Sequence, residues 1–140
     1  MSVISLLVFD QARLPSLAAV AEEAAQTGDP IEFPHDADLR THTGYLPVRV
    51  MGRDTGFEHY FEPVSPGALP DEATEYGSHQ IVTRTGSSLE EGRAALLYLK
   101  VIARLTGGAY VYPDDAIIVG PEQAQSYLDA EITAYGDYIK

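Results

Sequence analysis

Hydrophobic and polar residues alternate most regularly between Gly44 and Glu62. The alternation predicts two strands, at about residues 45–51 and 56–63, joined by a tight turn that contains glycine. Successive side chains of a strand point to opposite faces of the sheet. The second strand is therefore expected to have a buried, mainly aromatic face and an exposed, mainly acidic one: Phe57, His59 and Phe61 against Glu58, Tyr60 and Glu62.

Three other segments have apolar residues every three or four positions, which is typical of amphipathic helices. The first has Pro15 as its first helical residue and closes at Gly28. The second opens with the capping box Ser87–Glu90 and ends at Gly107, and the third starts at Pro121. The stripes predicted to be buried are Leu17, Val20, Ala21 and Ala24; then Leu89, Leu96, Leu99 and Ala103; and finally Ala124, Leu128, Ile132 and Tyr135.

Short apolar runs predict the remaining strands at residues 2–9, 31–33, 78–84, 109–112 and 115–119. Residues 63–76 contain three prolines and predict a surface loop. The resulting order predicts a single α+β domain over residues 1–140, with a mostly antiparallel sheet and helices packed on one face. It contains the β-α-β-β-α-β order of a ferredoxin-like core, followed by an extra C-terminal helix.

The chain is acidic along its whole length. Its 140 residues carry a formal net charge of −12, and residues 1–70 and 71–140 each contribute −6. This charge repels nucleic acid and anionic membranes, and it accelerates encounter with a basic partner. Ordinary solubility explains the same charge equally well. The absence of cysteine excludes disulfides and thiolate chemistry.

The hydropathy pattern predicts a soluble, cytoplasmic protein. No apolar run approaches the roughly 20 residues that span a bilayer. The apolar N-terminus is short, lacks a basic segment and runs directly into Asp10, so it is interpreted as a buried strand and not as a signal peptide.

Histidine is the residue type that most invites a catalytic or metal-binding interpretation. The His- and Asp-containing segment 35–42 lacks the ligand spacing of known metal motifs and is typical of a solvated turn. His59 and His79 lie on predicted neighbouring strands, either as an acid–base pair or as hydrogen-bonded core histidines. Because no nucleophile or catalytic motif accompanies them, the sequence predicts no catalytic, cofactor-binding or metal-binding residue.

The exposed sheet face is the predicted binding site. Tyrosine and arginine are enriched at interface hot spots, and Glu58 and Glu62 lie about 13 Å apart along a strand, too far for a paired-carboxylate mechanism. The predicted partner-binding residues are Tyr45, Arg49, Glu58, Tyr60 and Glu62, with Asp71, Glu72 and Glu75 of the 63–76 loop.

Short motifs at Tyr45–Val48, Gly52, Thr55–Pro63 and Leu105–Asp114 resemble small bacterial immunity proteins encoded beside polymorphic toxins. The resemblance covers residues 44–118. It implies an acidic, non-catalytic, single-domain inhibitor that binds and blocks a cognate toxin domain, expected to be basic. Two other classes stay open: a small enzyme that uses a pocket at His59 and His79, and a regulatory or structural oligomer that uses the open sheet face.

Overall fold

The computed structural model describes residues 2–65 and 67–138, and the strands within them form one antiparallel sheet. The strands are β1 (Val3–Phe9), β2 (Ile31–Glu32), β3 (Gly44–Val50), β4 (Arg53–Pro63), β5 (His79–Thr85), β6 (Ala109–Tyr112) and β7 (Ile117–Val119). The helices are α1 (Leu17–Gln26), α2 (Asp71–Thr74), α3 (Leu89–Thr106) and α4 (Pro121–Tyr138), with 3₁₀ turns at Gln11–Arg13 and Pro113–Asp115. In this part of the chain, no helix combines the length and apolar character that crossing a bilayer requires.

The strand order is β2-β3-β4-β5-β1-β6-β7, and neighbouring strands are antiparallel throughout. The four central strands β4-β5-β1-β6, together with α1 and α3, have the ferredoxin-like arrangement that the element order predicts. The hairpin strand β3 and the short β2 extend one edge of this core, and β7 extends the other. The predicted α+β class and antiparallel sheet are therefore confirmed, as is the C-terminal helix.

Helix α3 lies at the centre of the inner layer, against β4, β1 and β5 and between α1 and α4. Since it is covered by the sheet and by both neighbouring helices, it is buried over much more than one stripe; Tyr98 and Ile102 are both 0% exposed. Leu96 and Leu99 are buried as predicted. The prediction for Leu89 was wrong: it is the first residue of the helix, beyond the edge of this packing, and is 42% exposed.

Two helices begin one or two residues later than predicted. Ser16 caps α1 by accepting a hydrogen bond from the Ala19 N–H at 3.1 Å, so Pro15 precedes the helix. Ser88 caps α3 by accepting from the Glu91 N–H at 3.3 Å. The sequence holds two overlapping serine–glutamate pairs, and the second one is used because residues 86 and 87 complete the turn after β5.

The segment between β4 and β5 covers part of the outer sheet face, where the sequence predicted only a surface loop. It contains α2, whose Ala73 is fully buried against Leu6 and Val8 of β1 and Val111 of β6. Strand β1 is an interior strand of the sheet and has apolar residues on both faces, because Leu7 and Phe9 belong to the inner core while Leu6 and Val8 face outward. The outward apolar positions are covered by Val64, Leu69, Ala73 and Tyr76.

Candidate functional site: an exposed sheet face

The outer face of β2, β3, β4 and the adjoining part of β5 is not covered by a helix, and we call it the exposed sheet face. It is defined by Glu32, Tyr45, Arg49, Asp54, Glu58, Tyr60, Glu62 and Arg84. On the other side of the same strands, Phe57 is 1% exposed and His59 is 0% exposed. The predicted division of β4 into two faces is therefore confirmed.

Glu58 is the centre of a small polar group on this face, with one hydrogen bond and one ion pair. Its carboxylate accepts a hydrogen bond from the Tyr60 hydroxyl at 2.9 Å, and Arg84 on the neighbouring strand lies 3.8 Å from its other oxygen. The bond to Glu58 raises the pKa of Tyr60, because ionising the phenol would remove the donor and place two negative charges together. Tyr60 is therefore a neutral donor held in one orientation at neutral pH.

Arg49 is the second cation of the face, and it is already paired. Its Nε lies 3.0 Å from an Asp54 carboxylate oxygen, and the sheet register places Glu32 directly opposite it. The bond to Asp54 raises the pKa of the guanidinium, with a further contribution from Glu32. The face thus combines four carboxylates with two guanidinium groups, for a net charge of only −2. It is less acidic than the alternation of β4 alone predicted.

Tyr45 connects the face to α3. The side chain is 51% exposed, yet its hydroxyl donates to a Glu91 carboxylate oxygen at 3.3 Å in the first turn of that helix. The ring lies over Gly56, where an added Cβ would come within 2.5 Å of the Tyr45 side chain and 2.6 Å of the Leu46 carbonyl oxygen. Glycine at position 56 is therefore required for this close approach.

The acidic residues predicted in the 63–76 loop lie on the same side of the sheet. Asp71, Glu72 and Glu75 are exposed on and just after α2, while Ala73 anchors the helix to the sheet. Residues 64–76 contain no lysine or arginine, so α2 and its flank add three negative charges beside the exposed sheet face. Together the two regions carry a net charge of −5. The structure thus brings all eight predicted partner-binding residues to one side of the molecule.

His59 is a core residue. Its Nδ1 lies 3.1 Å from the His42 carbonyl oxygen and its Nε2 lies 2.8 Å from the Tyr98 hydroxyl. A carbonyl can only accept, so Nδ1 carries the proton and Nε2 accepts from Tyr98. Burial lowers the pKa of His59 to about 4, which keeps the ring neutral at pH 7.

The structure separates His59 from His79. His59 is opposite Thr83 in the sheet, whereas His79 is opposite Pro63, four residues farther along and therefore about 13 Å away. His79 stacks on Phe61 with ring centroids 5.4 Å apart, and its Nδ1 lies 2.8 Å from the Ser78 hydroxyl. The two histidines therefore do not form an acid–base pair. Within residues 2–65 and 67–138, no cluster of three or more histidine, aspartate or glutamate side chains could hold a metal ion.

A group of tyrosines beneath the sheet was not singled out by the sequence interpretation. Tyr110 and Tyr112 on β6 line a cavity with Tyr127 and Tyr135 on α4. The signal was present in the spacing, because residues two apart on a strand share a face, as do residues eight apart on a helix. The rings of Tyr110 and Tyr127 have their centroids 5.7 Å apart, which shows how closely the two elements approach.

The chain was compared with models of protein families, with curated protein sequences and with solved structures, and none of the three comparisons gave a match. The resemblance to immunity proteins therefore stays a prediction.

Proposed function

We propose that this chain is a cytoplasmic protein-binding inhibitor, which covers the active site of a basic toxin domain with its exposed sheet face and α2. The observation that carries the proposal is the Tyr60–Glu58–Arg84 group, in which an aromatic side chain on an open face is held by one hydrogen bond to a carboxylate that is itself ion-paired. A tyrosine already held in its binding orientation loses little rotamer freedom when a partner covers it. The acidic segment beside it supplies the charge that attracts a basic surface.

The dimensions of the site support a protein partner. From Asp54 to Glu62 the exposed sheet face extends about 27 Å along β4, and the four strands β2 to β5 span about 14 Å across. The product, about 400 Å², is half of the roughly 800 Å² that each partner buries in a standard interface. An interface of ordinary size would therefore need α2 and its flanking residues as well, which agrees with the position of Asp71, Glu72 and Glu75.

We expect the rates of association and dissociation to depend on different residues of the exposed sheet face. Glu58 and Glu62 provide charge at the surface, and charge at an interface rim chiefly changes the rate of association. Tyr60 provides aromatic area, and loss of a buried aromatic side chain chiefly changes the rate of dissociation. The double reversal Glu58→Lys with Glu62→Lys should slow association, and Tyr60→Ala should speed dissociation.

The test co-expresses the chain with the product of the adjacent reading frame in its source genome and measures growth, then measures binding kinetics of the purified pair over a salt series. Growth rescue, with an on-rate that falls as salt screens the charges, is the expected result. The matched control is Glu22→Lys with Glu122→Lys, which makes the same change in net charge at exposed positions of α1 and α4, outside the exposed sheet face. We expect this control to slow association less than the reversal on the exposed sheet face.

Three results would contradict the proposal. A salt-independent on-rate would exclude electrostatic steering, and equal effects of the two double reversals would place the interface elsewhere. Self-association that Tyr60→Ala abolishes, seen by light scattering of the purified chain, would instead favour an oligomer built through the exposed sheet face.

A further inference from the structure

On the opposite side of the sheet, a cavity of about 230 Å³ opens between the inner sheet face and helices α3 and α4. We call it the tyrosine cavity. Its inner part is formed by Tyr110, which is 3% exposed, and by the buried hydroxyl groups of Ser5 and Thr83. Ser5 and Tyr110 share a hydrogen bond of 3.1 Å, and Thr83 donates to the Ser5 carbonyl oxygen at 3.2 Å. The inner wall is therefore polar, but its hydroxyl groups already have hydrogen-bond partners within the protein.

The charged groups lie toward solvent. Asp115 is exposed and Glu131 is half-buried, and neither forms an ion pair among the residues that the structure describes. The residues that line the cavity include no lysine, arginine or histidine. The lining therefore carries two negative charges and no positive one.

The four tyrosines line the same cavity as Glu131. Burial raises the pKa of each phenol, and the negative charge of Glu131 raises it further in all four: Tyr110, Tyr112, Tyr127 and Tyr135. The phenols are consequently neutral at pH 7, and their rings keep the negative π faces that attract cations. The lining of the cavity therefore combines four neutral aromatic rings with two carboxylates.

We propose that the tyrosine cavity binds a small organic ammonium ion. Aromatic rings attract such a cation through their quadrupole, and a carboxylate at the mouth supplies the opposite charge. Two carboxylates and neutral phenols form a poor set of ligands for a transition metal, which prefers imidazole or thiolate. Anions are repelled by the charge of the lining.

The size of the cavity limits the ligand. An engineered protein cavity of about 150 Å³ accepts benzene. By proportion, about 230 Å³ suits a molecule of roughly 7–10 non-hydrogen atoms, and choline lies within this range. The proposal goes beyond the protein-binding function and is independent of it, because the tyrosine cavity and the exposed sheet face lie on opposite sides of the sheet.

Gly92 gives the cavity its shape on the α3 side. An added Cβ at this position would come within 2.8–2.9 Å of the Tyr135 ring, so only glycine lets that ring lie directly against the helix. Glycine inside a helix costs about 0.5–1 kcal/mol relative to alanine. The close packing of Tyr135 is the structural reason that we find for this residue.

The experiment titrates the intact chain with choline and, separately, with 3,3-dimethylbutan-1-ol. This alcohol is the neutral isostere of choline, in which a carbon atom replaces the nitrogen. Labelled tyrosine ring resonances report binding by NMR. We expect saturable shifts with choline, a dissociation constant below about 10 mM and binding at least fivefold tighter than that of the isostere, on the order of a cation–π contribution. Equal affinity for the two probes, or no saturation by about 50 mM choline, would overturn the proposal.

Two charge-neutral substitutions on α4 locate the site. Glu131→Gln should weaken choline binding about tenfold while leaving the isostere unaffected, since only the cation interacts with the lost charge. Glu122→Gln removes the same charge at an exposed position on the same helix and should leave both affinities unchanged. Equal weakening by the two substitutions would mean that the overall negative charge, and not the cavity, attracts choline.

Discussion

Acidification should destabilise this protein through His59, and the magnitude follows from its environment. Burial lowers the pKa of His59 from about 6.5 to about 4. Between these two pH values the unfolded state binds a proton that the folded state does not, so the free energy of unfolding falls as the pH falls. The His59 contribution is fully present above about pH 6.5 and is lost by about pH 4. Since one pKa unit corresponds to about 1.4 kcal/mol, the loss amounts to about 3 kcal/mol.

The substitution His59→Gln isolates this contribution, because glutamine keeps a donor and an acceptor but cannot be protonated in this range. We expect the variant to be less stable at pH 7, where the hydrogen bonds to His42 and Tyr98 are disturbed, by about 1–3 kcal/mol. This difference in unfolding free energy should fall by about 3 kcal/mol on moving to pH 4, so that the variant becomes as stable as the original chain or more stable.

Urea unfolding at several pH values measures both quantities. Carboxylates also titrate in this range, but their effect is common to the variant and the original chain and cancels in the difference. His35→Gln, at an exposed loop position, is the control for loss of a histidine. Parallel pH profiles for the original chain and His59→Gln would refute the assignment of His59 as a buried neutral residue.

Two further predictions concern the faces of β4 and the start of α3. Phe57→Ala should destabilise the fold by about 3–5 kcal/mol in urea unfolding, because the ring is 1% exposed and packs 5.0 Å from the Tyr98 ring. Glu58→Ala, on the exposed side of the same strand, should cost below about 0.5 kcal/mol, and equal losses would contradict the assigned faces. Ser88→Ala should cost about 1 kcal/mol through loss of the helix cap. Ser87→Ala should leave the free energy of unfolding nearly unchanged. A larger loss for Ser87→Ala than for Ser88→Ala would instead identify Ser87 as the helix cap.

The elements with a clear period were predictable from the sequence, and those defined by tertiary contacts were not. The alternation in β4 placed Phe57 and His59 correctly because a half-buried strand allows only one orientation. Helix α2 has four residues, too few to show a period, and it is held in place by Ala73 contacting β1 and β6. The exposure of Leu89 depended on where the neighbouring helices end, which no local pattern encodes.

The candidate site shows the same division. The alternation of side chains along a strand predicted that Glu58 and Tyr60 share a face. The net charge of that face, however, depended on which residues of the neighbouring strands lie beside them. The ion pairs of the face depended on the register between strands, which places Arg84 opposite Glu58 and Asp54 opposite Arg49. Sequence reasoning therefore identified the residues of the surface and overestimated its negative charge.

The two proposed sites share strand β5 and remain physically separate. Arg84 points to the exposed sheet face, while its neighbour Thr83 points into the inner layer beneath the sheet, where its hydroxyl donates to Ser5. Adjacent residues of one strand thus serve opposite faces. On the strand beside it, β1, the outward residues Leu6 and Val8 are apolar and the side chain of Ser5 faces inward, so the side-chain hydrogen bonds at Ser5 stay on the inner side of the sheet. Substitutions more than about 7–10 Å apart without shared partners generally have additive effects. Loss of choline binding in Glu131→Gln would therefore leave the protein-binding proposal intact, and a failed growth rescue would leave the cavity proposal intact.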